Sequence, residues 1–540
     1  MTNHPRTPTN PLYWPARRSL GTWAPILFIV GVTLRLAYFR FHYYPIMDDW
    51  YLYGEGHQLP AISFFVGNLA IPRPMMGWVN AFLVARLWHD LSLVYMAVAL
   101  LNGLNSWLMF RLAQRIGLPV SPLFAVIVGF FPLWDEAIFW IAAAVPLVIG
   151  TTAMLLTLHL ALNGFELPTR LAWPKVMLLS LVYWIACGFY EPVAALLMTA
   201  TILLWWRHRH QPSALPIGLA SLFGSLGMGL YYAVMWNNAS LAGRVNTSLA
   251  TNLVTLGQNL RYVWLGPPIR HILTHGLSSG WQSTQSHWQT LALFGAILLL
   301  TAPLLWTTFD PLPKCPHRLQ FYMLATGILL AVAGTVPFII QPWVAFRDTY
   351  PMGIGIALTL DSLLVWLRRH YLGRLMVVAA AFAVVMTGSL VGFHDLSLYR
   401  ATSLTDQRVA RAMAALGSPT RPLLLVNTHW ADMPMPGFYG QRVEDAFYQS
   451  WSSEAILGTV THKPFQWTVL TISNGATRTL PKSLSHYQLI GLEWHNDSYP
   501  RPVPLHLIGQ TLWTPHHTVL GRLIVSGTHS VLFEREHRSP

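Results

Sequence analysis

Long apolar runs separated by short polar connections dominate the chain as far as Val391. A helix needs about 20 mostly apolar residues to cross a hydrocarbon core of roughly 30 Å. Eleven stretches approach or exceed that length and predict spans over 22–41, 92–110, 122–134, 145–162, 176–190, 192–206, 214–236, 288–306, 321–340, 352–366 and 375–391. After 393 the runs shorten. Pro422–Val426 and Arg522–Val525 predict short buried strands, and 403–416 predicts a helix. The pattern implies a polytopic α-helical membrane protein of about 11 spans over 1–392, followed by a small α/β or α+β domain over 393–540.

The basic residues orient those spans. With the N-terminus in the cytoplasm, the inner connections hold Arg111/Arg115, Arg170/Lys175, Arg207/Arg209, Lys314/Arg318 and Arg368/Arg369/Arg374. The predicted outer turns at Trp134–Glu136 and Tyr190–Pro192 hold none, as the positive-inside rule requires. The C-terminal domain is then extracytoplasmic. The segment 74–88 is apolar enough for another span, but counting it would put every later basic loop outside. It is therefore placed in a long outer loop, 42–91, as helices lying in the interface. A second long outer loop covers 237–287, with Arg244, Arg261 and Arg270.

Composition agrees. The chain is 53% apolar and 10% charged, where a soluble domain carries about 25% charge. The net charge of +13 sits mainly in the inner loops, so it is no nucleic-acid footprint. Arg6, Arg17 and Arg18 precede the first run without a cleavage site, which predicts a retained first helix. Cys187 and Cys315 fall at different levels, which argues against a disulfide between them.

The candidate chemistry gathers on the outer side. Asp48 and Asp49, in Met47-Asp-Asp-Trp50, follow the first span directly. Acids at a membrane edge are functional candidates, as bases or metal ligands. The plainer reading is a solvated turn capping a helix. Arg73, before Pro74, shares that loop, and it can snorkel to headgroups. Asp135 and Glu136 close the third span and can act as caps. Glu191, in Gly188-Phe-Tyr-Glu-Pro192, can simply open the sixth. Arg347, in Arg347-Asp-Thr-Tyr-Pro351, can pair with Asp348 or with lipid phosphate. Histidines such as His516-His517 show no metal spacing, and no P-loop, GxGxxG or GxSxG occurs.

The Asp-Asp-Trp, Arg-Pro, Phe-Tyr-Glu and Arg-x-x-Tyr-Pro elements, on this topology, resemble bacterial members of the GT-C glycosyltransferases. The resemblance covers 22–391 and leaves the C-terminal domain without a match. It implies a GT-C-like membrane enzyme that moves a sugar, with inversion, from a polyprenyl-phosphate donor. The acceptor would be a glycan, lipid or protein, extracytoplasmic or in the outer leaflet. The setting would be the bacterial inner membrane, within the cell envelope, with the active site facing the periplasm or exterior. Asp48 or Asp49 would be the base. Asp135, Glu136 and Glu191 would position the acceptor or a metal, and Arg347 and Arg73 would bind the donor phosphate. Some members use a divalent cation (Mg or Mn), and no spacing here decides that point.

A lipid-linked glycan polymerase, flippase or transporter is the alternative, and a non-catalytic scaffold a third reading. A transporter should show repeated halves and midplane charges. Neither is evident, apart from Arg35 within the first span, which would snorkel or meet a carrier phosphate.

Overall fold

The computed structural model describes residues 20–69, 73–165, 173–235, 248–309, 317–340, 344–365, 367–417, 420–427, 438–439, 446–447, 449–473, 477–494, 500–516, 518–526 and 530–535. Arg6, Arg17, Arg18, Arg170, Arg244, Lys314, Cys315 and His517 lie outside them. The chain forms two compact units. One takes Met1–Phe41, Tyr95–Phe139 and Ala143–His394; the other takes His42–Val94, Trp140–Ala142 and Asp395–Pro540. The predicted first outer loop therefore belongs to the same unit as the C-terminal region.

The first unit is helical. Each of the eleven predicted stretches is mostly helical over its described residues, and seven helices among the described residues are long and apolar enough to cross a membrane. Two of them form its centre. The apolar window of Pro122–Phe139 is 94% buried and that of Ile141–Phe165 is 83% buried, against 28% for Ala214–Tyr231. The central helices are thus wrapped in protein, whereas the outer ones turn leucines such as Leu215, Leu230 and Leu299 outward. An all-apolar sequence cannot signal this difference, because lipid tails and a protein core select the same side chains. The described part of the second outer loop is helical too. Leu249–Leu265 buries Asn252, Leu256, Asn259 and Val263, a one-sided stripe at helical spacing.

Three boundaries differ from the expectation. No loop separates 74–90 from the next span: the helix runs from Pro74 to Arg115 through a kink at Leu87. Nor does the helix of the last predicted span stop at 391, although the two units part at His394/Asp395, close to the expected 392/393. Tyr371–Leu416 is one helix of 46 residues without proline. Gly388 is required within it, since a Cβ there would lie 1.9 Å from the Phe130 carbonyl oxygen. Finally, Asp135 and Glu136 do not sit in a tight outer turn. They open a short helix, Asp135–Phe139, and both are buried.

The second unit holds the two larger sheets, and nine strands of the described residues form them. They are β1 (Leu423–Asn427), β2 (Val469–Ser473), β3 (Thr477–Thr479), β4 (Gln488–Trp494), β5 (Pro500–Pro504), β6 (His506–Ile508), β7 (Thr511–Trp513), β8 (Val519–Ser526) and β9 (Ser530–Arg535). One sheet has the order β2-β1-β4-β5, with β1 parallel to β2 and β4. Another, antiparallel, has the order β3-β9-β8-β7-β6. Every residue of β1 is buried, as expected of a strand covered on both faces. Leu423 and Leu425 pack with Val409, Met413, Ile456 and Leu457 of two helices. Leu424 and Val426 point the other way, against Leu512, Leu523 and Phe533. The alternation places this mixed sheet, with β5 antiparallel at its edge, between helices and the antiparallel sheet.

The first outer loop enters this core. Trp50, 4% exposed, packs in the cluster of Leu423, Ile456 and Trp467, with Trp88 edge-on at 5.6 Å between ring centroids. Glu55 is also buried, and its carboxylate accepts the Phe465 N–H at 2.9 Å. The acid pair thus precedes a helix anchored in the C-terminal fold.

Candidate active site

The turn carrying Asp48 and Asp49 is strained and locally locked. Met47 has φ +32°, in the region that L residues avoid. The Asp49 N–H donates to the Ile46 carbonyl at 2.8 Å, and the Ile46 N–H donates back to Asp49 Oδ2 at 3.0 Å. This reciprocal pair works as a capping box does, with the acid three residues into the turn reaching back to its start. A π-helix, Trp50–Glu55, follows at once. Strained residues and π-turns both concentrate at functional sites.

The two carboxylates have different surroundings. Asp49 is fully buried. Its Oδ2 also accepts the Tyr43 hydroxyl at 2.5 Å, and its Oδ1 accepts the Ala142 N–H at 3.2 Å. Tyr43 in turn accepts the Ile141 N–H at 2.9 Å. Tyr43 and Asp49 therefore satisfy two backbone donors at the start of the helix Ile141–Phe165, groups with no partner inside the helix. Burial pushes Asp49 up to about 8, against the donors that favour its charged form. Asp48, by contrast, is only half-buried. The capping reading holds for Asp49, although the turn is buried and not solvated. Asp49 is held in place, and Asp48 is the carboxylate that solvent reaches.

In the helical unit, the other predicted residues form a second network. Arg35 is fully buried and ion-paired with Asp135. Its Nε donates to the Gly388 carbonyl at 2.9 Å and its Nη1 to that of Gly129 at 3.4 Å. It does not snorkel. Glu136 holds Arg347 twice, through an ion pair with Nη1 and by accepting the Arg347 N–H at 3.0 Å. Arg347 remains 23% exposed while Glu136 is buried. Asp348 pairs with neither: it accepts the Tyr190 hydroxyl and, at 2.7 Å, the Ala345 N–H. The Phe-Tyr-Glu and Arg-Asp-Thr-Tyr elements are thus joined through Tyr190 and Asp348. Glu191 opens the helix Glu191–His208 with Pro192 in its first turn, and it is half-buried. Arg73 stands just before the helix Pro74–Val79, in the second unit.

Among the described residues, no three His, Cys, Asp or Glu side chains come together as a metal-binding group. Both Asp49 oxygens accept hydrogen bonds, from Tyr43, Ile46 and Ala142, and no step is derived through a metal ion. The sequence pointed to neither Tyr43 nor Glu55. Tyr43 lies six residues before Asp49 and binds a main-chain group, which leaves no mark in side-chain pattern. Burial pushes Glu55 up to about 7, yet in Tyr53-Gly-Glu-Gly56 it looks like a loop acid.

No protein-family model and no curated protein matches the chain. It is similar to two crystal structures of ArnT from Cupriavidus metallidurans. One, bound to undecaprenyl phosphate, is 13% identical and covers 88% of this chain and 92% of that one, with a TM-score of 0.31. The other, in the apo state, is 13% identical and covers 84% and 86%, with a TM-score of 0.33.

Proposed function

We propose that the chain is a multi-pass membrane glycosyltransferase. It moves a sugar, with inversion, from a polyprenyl-phosphate donor to an extracytoplasmic or outer-leaflet acceptor. Its setting is the bacterial inner membrane, and its active site faces the periplasm or exterior. The observation that carries this reading is the division of labour in the acid pair. A strained turn fixes Asp49 through three donors and leaves Asp48 partly accessible beside it. Asp48 takes the acceptor hydroxyl proton while that oxygen bonds to the anomeric carbon from the face opposite the phosphate. The bond from carbon to phosphate oxygen breaks, and the polyprenyl phosphate leaves with the electron pair. Within the helical unit, Arg347, oriented by Glu136 and partly exposed, is a fixed donor suited to a phosphate. Asp49 and Tyr43 are positioning residues.

The test is transfer of labelled sugar from a polyprenyl-phosphate donor in membranes bearing the wild type, Asp48→Asn, Asp49→Asn and the double variant. Loss in Asp48→Asn supports the reading. Full transfer by all three variants sinks it. One observation favours a flippase or transporter instead: the buried Arg35–Asp135 pair, since intramembrane ion pairs often mark transport pathways. Lipid-linked sugar crossing vesicle membranes without a glycosidic product would select that reading.

A further inference from the structure

The helical unit contains a cavity of about 90 Å³ lined almost wholly by carbon, including Leu112, Ile116, Leu158, Ala200, Leu204 and Tyr322. A water needs two to four polar partners to occupy a cavity, so this space stays dry and suits hydrocarbon. The lining helices carry their cations just beyond it. Arg207 follows Leu204 by three residues, Arg115 follows Leu112 by three, and Arg318 precedes Tyr322 by four. Residues so spaced share a helix face, one turn apart. All three arginines are exposed. Arg207 lies over the Tyr322 ring at 6.0 Å from its centroid. It also stands close by Gly117, where a Cβ would come 3.1 Å from Nη2. A guanidinium therefore touches the cavity wall, and the apolar space ends at a cationic rim.

We infer that this cavity takes one hydrocarbon chain of an anionic phospholipid, whose phosphate rests against Arg207. The apolar wall selects the chain and the rim selects the headgroup. A phosphate ester beside a guanidinium makes paired, charge-assisted hydrogen bonds. The volume holds only a short stretch of one chain next to its headgroup, which suits an ordinary membrane phospholipid.

The full chain is purified from vesicles of phosphatidylcholine mixed with phosphatidylglycerol, washed in detergent, and weighed intact by native mass spectrometry. One phosphatidylglycerol is expected to survive the wash in preference to phosphatidylcholine. Arg207→Gln should reduce that preference about fivefold, the weight of one basic residue at an anionic surface. Ala200→Phe, which fills the cavity, should abolish retention. If that variant fails to fold, Arg207→Gln alone decides. Equal retention of both lipids, or a preference unchanged in Arg207→Gln, overturns the proposal. Displacement of the phospholipid by added polyprenyl phosphate would assign the cavity to the carrier and overturn it as well.

Discussion

Two pairs of adjacent acids, Asp48-Asp49 and Asp135-Glu136, look alike in sequence and are handled in opposite ways. Asp135 and Glu136 are both buried, and each is matched by an arginine, Arg35 and Arg347. Asp49 is buried too, but it is held by neutral donors: a tyrosine hydroxyl and two main-chain N–H groups. Asp48 stays half-exposed. Carboxylates matched by cations fix structure and local potential. A carboxylate fixed by neutral donors beside an accessible neighbour suits proton transfer, because the donors to Asp49 carry no charge that would hold it ionised. Two adjacent acids are thus not one kind of site.

That contrast can be broken at several points. The largest effect belongs to Asp48. Asp48→Asn should slow sugar transfer by about 10²–10⁴-fold, the usual weight of a general base, without shifting the melting temperature. Next comes the Arg35–Asp135 pair. Asp135→Asn strands a buried guanidinium and should destabilise the helical unit by about 3–5 kcal/mol, seen as a lower melting temperature in detergent. Replacing both partners with apolar residues should recover most of that loss. Tyr43→Phe leaves the buried Ile141 N–H without its acceptor and should cost about 1–3 kcal/mol, read in the same melt. A further effect is in pH. The Asp49 carboxyl is raised from 3.8 to about 8 in the fold, so the fold binds the extra proton. Its stabilising contribution is present below about pH 4 and is lost as pH rises through about 8. Melting curves should show stability falling over that window, and Asp49→Asn should flatten the fall.

Much of the fold is legible in the chain, for a physical reason. Crossing a membrane demands long apolar runs, and a strand covered on both faces, such as β1, demands a short one. Helix boundaries are less legible, because no proline at 392/393 stops the helix. The site residues were legible as acids and arginines on one predicted side. Their partners were not. Asp135 and Arg35 are 100 residues apart, and no local pattern couples them. Asp49 binds Ala142 through its main chain, where any residue but proline would serve. Accessibility separates Asp48 from Asp49, and that follows from which way a strained turn at Met47 faces.

The most direct measurement is the single-turnover rate of sugar transfer in proteoliposomes, with Asp48→Asn and Asp49→Asn compared side by side. If Asp48 is the base and Asp49 its anchor, Asp48→Asn loses at least about 100-fold with an unchanged melting temperature. Asp49→Asn then loses less, and its melting shifts. A wild-type rate in Asp48→Asn, or a deeper loss in Asp49→Asn with unchanged melting, would contradict that assignment.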